Sequence, residues 1–226
     1  MASDESPAAK STTARANILA RIRKGLGRSA SPSQTELQSL ETWLNAHPRG
    51  PLRPVEGDLA ACFCERAAAM QNTTARVPGM EQVPVEAARY LNSLNLDASG
   101  CVWPALAHLD WSSAGIAVAA RAAIDADKIG ITGTYAAIAE TGTLMVLSGP
   151  DTPSSVSLLP ETHIAVLPAS RIVSHMEDAW ALLRAEHGRP PRAVNFISGP
   201  SRTGDIEQTI IIGAHGPFRV HIIVVG

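Results

Sequence analysis

The sequence is short of several things, and each shortage removes a class of protein. It holds three cysteines in 226 residues, whereas a self-contained iron–sulfur cluster or a Cys-type zinc site asks for about four soft ligands at recognisable spacings. Cys62 and Cys64, in ACFCERAA, stand two apart, which is no usual metal spacing and puts them on different faces of a helix or the same face of a strand. They read as free, partly buried thiols. No apolar run approaches the ~20 residues of a membrane helix. The opening MASDESPAAKSTTARANILA has no uninterrupted apolar core behind a basic end, so it is not a secretory signal. Charge of neither sign is in excess: the net charge is -2, with 18% charged and 45% hydrophobic residues. That balance disfavours nucleic acid and acidic lipid as partners and leaves a soluble cytoplasmic protein as the expectation. The seven histidines form no HExxH and no close pair on one helix face. That leaves a metal unindicated, and no glycine cluster builds GxGxxG or a Walker loop, so neither a dinucleotide nor NTP hydrolysis is indicated.

What is present suits one sizeable α/β domain with an appendage. Residues 1–13 are Ser, Thr, Ala and Pro with scattered charge and are expected to be disordered. Residues 14–50 read as a helical arm. In ARANILARIRKGLGR, Ile18, Ile22 and Leu26 recur every four residues opposite Arg15, Arg21, Arg23 and Lys24. The stripe is brief and lacks aromatic anchors, which favours packing on its own domain or a partner over lying on a membrane. A second helix opens with a capping box, Ser33 and Glu36, and stops at HPRGPLRP.

Residues 51–226 alternate helical and strand patterns. CFCERAAAMQNTTARV and PVEAARYLNSLNL read as helices; GIAVAA, TLMVLS, HIAVLP, AVNFIS and RVHIIVV are short runs rich in β-branched residues. Between two of these runs lies a helix capped by Ser174 with Glu177 three residues on, closing a βαβ unit. Such alternation predicts a largely parallel sheet flanked by helices.

Two segments carry more punctuation than folding needs. In AAIAETGTLMVLSGP, Glu140 interrupts an apolar pattern and Thr141, Gly142 and Thr143 follow, so a tight turn carries the carboxylate to a hairpin tip with hydroxyls beside it. A surface Glu at a turn is the alternative. In ISGPSRTGDIEQ, Gly199 and Pro200 shape a turn after which the amides of Ser201, Arg202 and Thr203 could converge on an anion beside the guanidinium. The alternative is a helix entry, with Ser201 or Thr203 as cap and Asp205 and Glu207 in the first turn. TLMVLS and AVNFIS both end in Ser-Gly-Pro, and strand ends are where open α/β sheets form ligand crevices.

The segments LDWSSAGIAVAARAAIDADKIGITG, AIAETGTLMVLSGP, SLLPETHIAVLP and ISGPSRTGDIEQTIIIGAHGP, in that order, resemble the LUD-domain lactate-utilization protein C family over about residues 105–226. ILARIRKGLGR resembles that family's amino-terminal arm. The chain has Gly204 where the family favours Ala or another small residue. The resemblance implies a fold like the glucosamine-phosphate deaminase, ribose-phosphate isomerase and CoA-transferase group. It also implies a part in oxidising L-lactate to pyruvate beside partner subunits that carry iron–sulfur clusters; the cysteine shortage agrees, and no cofactor is expected on this chain.

On that reading a crevice receives a small carboxylate at Arg202 and its neighbouring amides, since a guanidinium offers a bidentate fork. Glu140 or His163 would face the hydroxyl, although His163 also reads as a strand-end histidine bonded to backbone. His215, between glycines in GAHGP, is accessible at a turn. Asp205 and Glu207 would orient Arg202 or cap a helix and do not form a catalytic carboxylate pair. The other function class is an enzyme acting alone on a CoA-transferase-like or sugar-phosphate-isomerase-like scaffold. There Glu140 is the nucleophile, because Glu-Thr-Gly looks somewhat like the Glu-Asn-Gly of CoA transferases.

Overall fold

The computed structural model describes residues 7–28, 31–206 and 209–226, with the side chains of residues 7–12 and 205–210 outside the description. The chain forms two compact units, Met1–Pro51 and Leu52–Gly226. In the first, α1 spans Pro7–Gly25 and α2 spans Gln34–Ala46. Helix α1 therefore runs through residues 7–13, which composition had left without structure. Proline at the first helical position sacrifices no intrahelical bond, and the alanines behind it are the best helix formers. The capping box is as expected: the Ser33 amide donates to the Glu36 carboxylate at 2.8 Å and the Glu36 amide donates to the Ser33 hydroxyl at 3.2 Å. The apolar stripes of this unit, with Ile18, Ile22, Leu40 and Trp43, are exposed.

The second unit begins with α3 (Leu59–Ala69), β1 (Thr73–Val77), α4 (Val83–Ser93), β2 (Ser99–Val102), β3 (Ala117–Ala120) and β4 (Ile129–Gly133). It continues through β5 (Ala136–Ile138), β6 (Thr143–Leu147), α5 (Ser155–Leu158), β7 (Thr162–Pro168), β8 (Ile172–Val173) and α6 (Met176–His187). It ends with β9 (Val194–Ile197), β10 (Arg202–Ile206), β11 (Thr209–Ile212) and β12 (Arg219–Val225). Six strands form a parallel sheet in the order β1-β12-β7-β4-β2-β3. Beside it stands a four-stranded mixed sheet, β8-β5-β6-β9, and β10 with β11 makes a separate hairpin. This is the α/β class, with a parallel sheet flanked by helices, that the alternating pattern predicts.

The layering follows from side-chain alternation along buried strands. In β7, Ala165 and Leu167 face a core shared with Phe63 and Ala67 of α3 and with Leu144 and Val146 of β6. Ile164 and Val166 face the other way, against Val83, Ala87 and Leu91 of α4. The outer face of the four-stranded sheet, with Ile138 and Met145, takes Ala179 and Leu183 of α6. Phe63, Leu144, Leu167 and Ile222 are fully buried, each worth about 1.5–3 kcal/mol of transfer free energy.

Three local expectations are corrected. The helix read through NTTARV stops at Ala69; Gln71 turns the chain at φ 67° and the β-branched Thr73 and Thr74 enter β1, the edge of the parallel sheet. The crossover through α6 joins β8 to β9 within the four-stranded sheet, because β7 gives up its chain to the two-residue β8 first. And α6 is capped one residue later than read: the His175 amide donates to the Asp178 carboxylate at 3.0 Å, while the Ser174 carbonyl receives the Glu140 amide at 3.1 Å.

Candidate functional site

Strand β5 turns into β6 through residues 139–142, and the Gly142 amide closes the hairpin on the Ile138 carbonyl at 2.9 Å. Glu140 is thus at the tip, partly buried, with Thr141 exposed beside it. Gly142 is required here: its φ is 66°, and a Cβ would lie 2.3 Å from the Ala67 amide nitrogen. The turn is pressed onto the last turns of α3. The Thr141 hydroxyl donates to the Thr143 hydroxyl at 2.7 Å, and Thr143 in turn pairs with the Ser198 hydroxyl at 2.7 Å. This chain of hydroxyls ties the ETGT turn to the SGPSR turn, because β6 and β9 are antiparallel neighbours with Leu144 opposite Ile197.

The SGPSR turn meets the same helix end. Gly199 has φ 100°, and its Cβ would fall 2.2 Å from the Met70 carbonyl oxygen. Pro200 follows in the turn, and the exposed Arg202 reaches back to the Met70 carbonyl with Nη2 at 3.5 Å, the outer limit of a hydrogen bond. The three-amide cradle does not form as predicted. The Ser201 amide donates to the Pro217 carbonyl at 2.9 Å, and Arg202 and Thr203 enter β10 opposite Ile212 and Ile211. The charged group left exposed at this turn is the Arg202 guanidinium. The alternative helix entry is replaced by the β10–β11 hairpin, which the repeated β-branched residues of TIII on the return strand explain. The backbone of Asp205 belongs to β10; Glu207 lies outside the described residues.

Sequence reasoning missed His175. Its Nε2 lies 2.6 Å from the Arg53 carbonyl and its Nδ1 3.3 Å from the Asp178 carboxylate. The Arg53 carbonyl above all, with Asp178 and the charge of Glu140 behind it, holds this imidazole above its ordinary value against the desolvation that lowers it. His175 therefore stands close enough for the Glu140 carboxylate to favour its protonated form. The only signal in the sequence was a histidine at a helix start, a position with no distinguishing pattern.

The remaining candidates separate. His215 is exposed in the bend between β11 and β12, a loop tied to the SGPSR turn through Pro217 and through Gly216, whose Cβ would lie 3.1 Å from that of Ser201. His163 is in β7, fully buried, with Nε2 2.8 Å from the Thr132 hydroxyl and Nδ1 without a hydrogen-bond partner. Burial pushes its pKa down to about 4. A neutral imidazole closed off on every side cannot meet a hydroxyl of a bound acid, so its place is in the core and not in the site.

The cysteines do not fit an iron–sulfur cluster. Cys62 on α3 donates its thiol to the Ala139 carbonyl at 3.7 Å, and Cys101 in β2 donates to the Ile129 carbonyl at 3.8 Å. All three are free, and among the described residues no three His, Cys, Asp or Glu side chains gather at metal-binding distance. No helix among them is long and apolar enough to cross a membrane.

The other Ser-Gly-Pro, residues 148–150, lies at the opposite end of the four-stranded sheet, since β6 runs from Thr143 toward Ser148 while β9 runs from Val194 toward Ser198. There it borders a cavity of about 560 Å³ between the two sheets, walled by Trp103, Gly133, Tyr135, Leu147 and Pro190.

The comparisons with known proteins bear on the motif-bearing half of the chain. Lactate utilization protein C of Bacillus subtilis (strain 168) is 38% identical over 131 residues, 51% of this chain and 53% of that protein. The protein of that name from Halalkalibacterium halodurans is 45% identical over 100 residues, 43% of this chain and 44% of its own length. The one from Exiguobacterium sp. is 42% identical over 118 residues, 51% of each. The chain thus spans about half the length of the curated relatives it matches. A crystal structure of a DUF162 family protein from Deinococcus radiodurans superposes with a TM-score of 0.59 at 26% identity, covering 76% of this chain and 100% of that one. The LUD domain family model matches residues 104–225, more than half of the chain and inclusive of both the ETGT and the SGPSR turns, and the chain belongs to that family.

Proposed function

We propose that this protein is a component of a lactate-utilization assembly, supporting the oxidation of L-lactate to pyruvate without being catalytic by itself, and that the ETGT–SGPSR end holds the small carboxylate. One observation carries the reading: turns from two distant parts of the chain are joined through the Thr141–Thr143–Ser198 hydroxyls and leave the Arg202 guanidinium and the Glu140 carboxylate on the same end of one sheet. Relatives named for lactate utilization support the biological setting. A guanidinium receives a carboxylate in a bidentate fork. Glu140, whose charge helps raise the pKa of the nearby His175, is suited to orient the neighbouring hydroxyl. Lactate to pyruvate releases two electrons and two protons. In this reading the electrons pass to partner subunits carrying iron–sulfur clusters, as the sequence resemblance implies, in the cytoplasm that the composition leads one to expect.

Arg202→Ala is the test. The guanidinium is exposed at a strand end and its single described bond is long, so the fold is expected to persist. Affinity for L-lactate, read by calorimetry on the chain with its partners, is expected to fall about tenfold, the loss of one charge-assisted contact. Unchanged affinity in a folded variant removes Arg202 from the site. A covalent acyl or CoA adduct on Glu140, found by mass spectrometry after incubation with acyl-CoA compounds, would replace this reading with that of an independent transferase.

A further inference from the structure

The cavity at the far end of the four-stranded sheet sits where the topology of the parallel sheet opens a crevice. Strands β2 and β4 are neighbours, yet the chain leaves β2 for β3 on one side and leaves β4, by way of β5 and β6, for β7 on the other. Connections that depart in opposite directions part above the carboxyl ends of the two strands, and open α/β sheets bind ligands there. Trp103 directly follows β2; Gly133 ends β4 and Thr134 follows it, and all three border the cavity. The volume, about 560 Å³, is in the range of sites for drug-sized or cofactor-sized molecules.

The walls define what fits. Trp103, Leu106, Leu147, Pro190 and Pro191 are apolar or flat. The Tyr135 ring is held rigidly. Its hydroxyl donates to the Glu186 carboxylate at 2.8 Å, Arg171 lies 4.7 Å from its centroid, and His187 stands 5.5 Å away. Arg171 is itself fixed by a two-pronged bond to Glu186 at 2.7 and 2.9 Å, so its charge and that of Glu186 are spent on each other. Arg189 is different. It borders the cavity, is exposed, and has no ion pair among the described residues. The carbonyl end of α6 nearby carries about half a negative charge, which a full guanidinium outweighs.

We propose that this cavity is a second binding site, for a planar and mostly apolar organic anion. Its ring system lies against Trp103 and Tyr135, and its carboxylate or phosphate sits at Arg189. The site is separate from the carboxylate end at Arg202. Flat rings in such a site gain from apolar burial and offset stacking on a fixed aromatic, and the single charge at the mouth orients them.

The probe is 1-naphthoate, titrated calorimetrically into the full chain, with the neutral 1-naphthamide as its isostere. Saturable one-to-one binding of naphthoate is expected, with the amide about tenfold weaker. Arg189→Ala, at an exposed position, is expected to remove that preference and leave the two probes equal. Gly133→Val is expected to abolish binding of both: a Cβ at Gly133 contacts only the Trp103 ring, at 3.6 Å, so a side chain there grows along the wall into the space. Arg202→Ala is expected to leave naphthoate affinity unchanged, which keeps this site distinguishable from the lactate end. Absence of saturable binding overturns the proposal. So does a preference for the anion that survives Arg189→Ala, or a loss of binding in Arg202→Ala.

Discussion

Two buried histidines make the stability of the LUD domain depend on pH in a way that one substitution can dissect. His163 in β7 and His221 in β12 each have a pKa lowered to about 4 from an ordinary 6.5, burial being the largest cause for both. His221 is stacked on Tyr90 at 3.9 Å and bonded through Nδ1 to the Thr73 hydroxyl at 2.8 Å, while Nε2 has no hydrogen bond and lies 3.8 Å from the Glu86 carboxylate. Between pH 6.5 and 4 the unfolded chain binds a proton at each of these residues that the folded chain refuses, so stability rises with pH across that window and is lost as pH falls through it. From pH 7.5 to 5.0 a shift of this size costs about 2 kcal/mol per histidine, roughly 4 kcal/mol for the pair. His163→Gln keeps a side chain able to bond Thr132 but removes one titration, so about 2 kcal/mol of the change between about pH 7.5 and 5.0 should vanish, whatever the substitution does to absolute stability. Urea unfolding followed by tryptophan fluorescence at pH 7.5, 6.0 and 5.0 reads the difference in slopes. His175, whose pKa is raised and whose contribution is present at low pH and lost as pH rises through that raised value, is common to both proteins and cancels. The reasoning is refuted if the variant keeps the full wild-type dependence, or if the His163 ring titrates near 6.5 by NMR in the folded protein.

The glycines give a graded set: Gly142→Ala and Gly199→Ala, each at positive φ and each driving a Cβ to within 2.3 and 2.2 Å of α3 backbone and of the Met70 carbonyl respectively, should cost about 2 kcal/mol or more of unfolding free energy. Gly204→Ala, whose Cβ would meet nothing within 4 Å, should stay within about 0.5 kcal/mol, and a large loss there would refute the steric argument. Cys101, its thiol pushed up to about 12 chiefly by burial, should resist iodoacetamide at pH 8 in the native chain and react on unfolding, as peptide mass spectrometry can show.

Much of the fold could be read because its strongest signals are local. GIAVAA, TLMVLS, HIAVLP, AVNFIS and RVHIIVV each contain a strand of the structure, β3, β6, β7, β9 and β12. Which sheet each joins could not be read. HIAVLP and AVNFIS are equally apolar, yet β7 is central in the parallel sheet and β9 is the edge of the mixed one. The choice is made by the two residues of β8, whose pairing with Ala137 and Ile138 lets the chain change sheets before α6. A two-residue strand leaves no periodicity to detect. Likewise NTTARV follows a helical pattern without a glycine or proline between, and the break rests on Gln71 adopting a left-handed conformation that sequence does not announce.

The candidate site was legible where glycine and hydroxyl residues cluster, and invisible where its support is ordinary helix. ETGT and SGPSR stand out because tight turns need Gly142 and Gly199, but both turns take their positions from Ala67 and Met70, residues with no unusual chemistry. His163 drew attention for its type alone, and the strand alternation that would have placed it inward applies to any residue between Thr162 and Ile164 in a strand buried on both faces. The repeated Ser-Gly-Pro suggested one crevice at like strand ends. In a parallel pair the two copies would have met. Because β6 and β9 are antiparallel, the shared tripeptide marks opposite edges of the same sheet, one bearing the hydroxyl-linked turns and the other bordering the cavity above β2 and β4. Strand direction, which short apolar runs do not encode, therefore separates what the sequence seemed to duplicate into two chemically different ends.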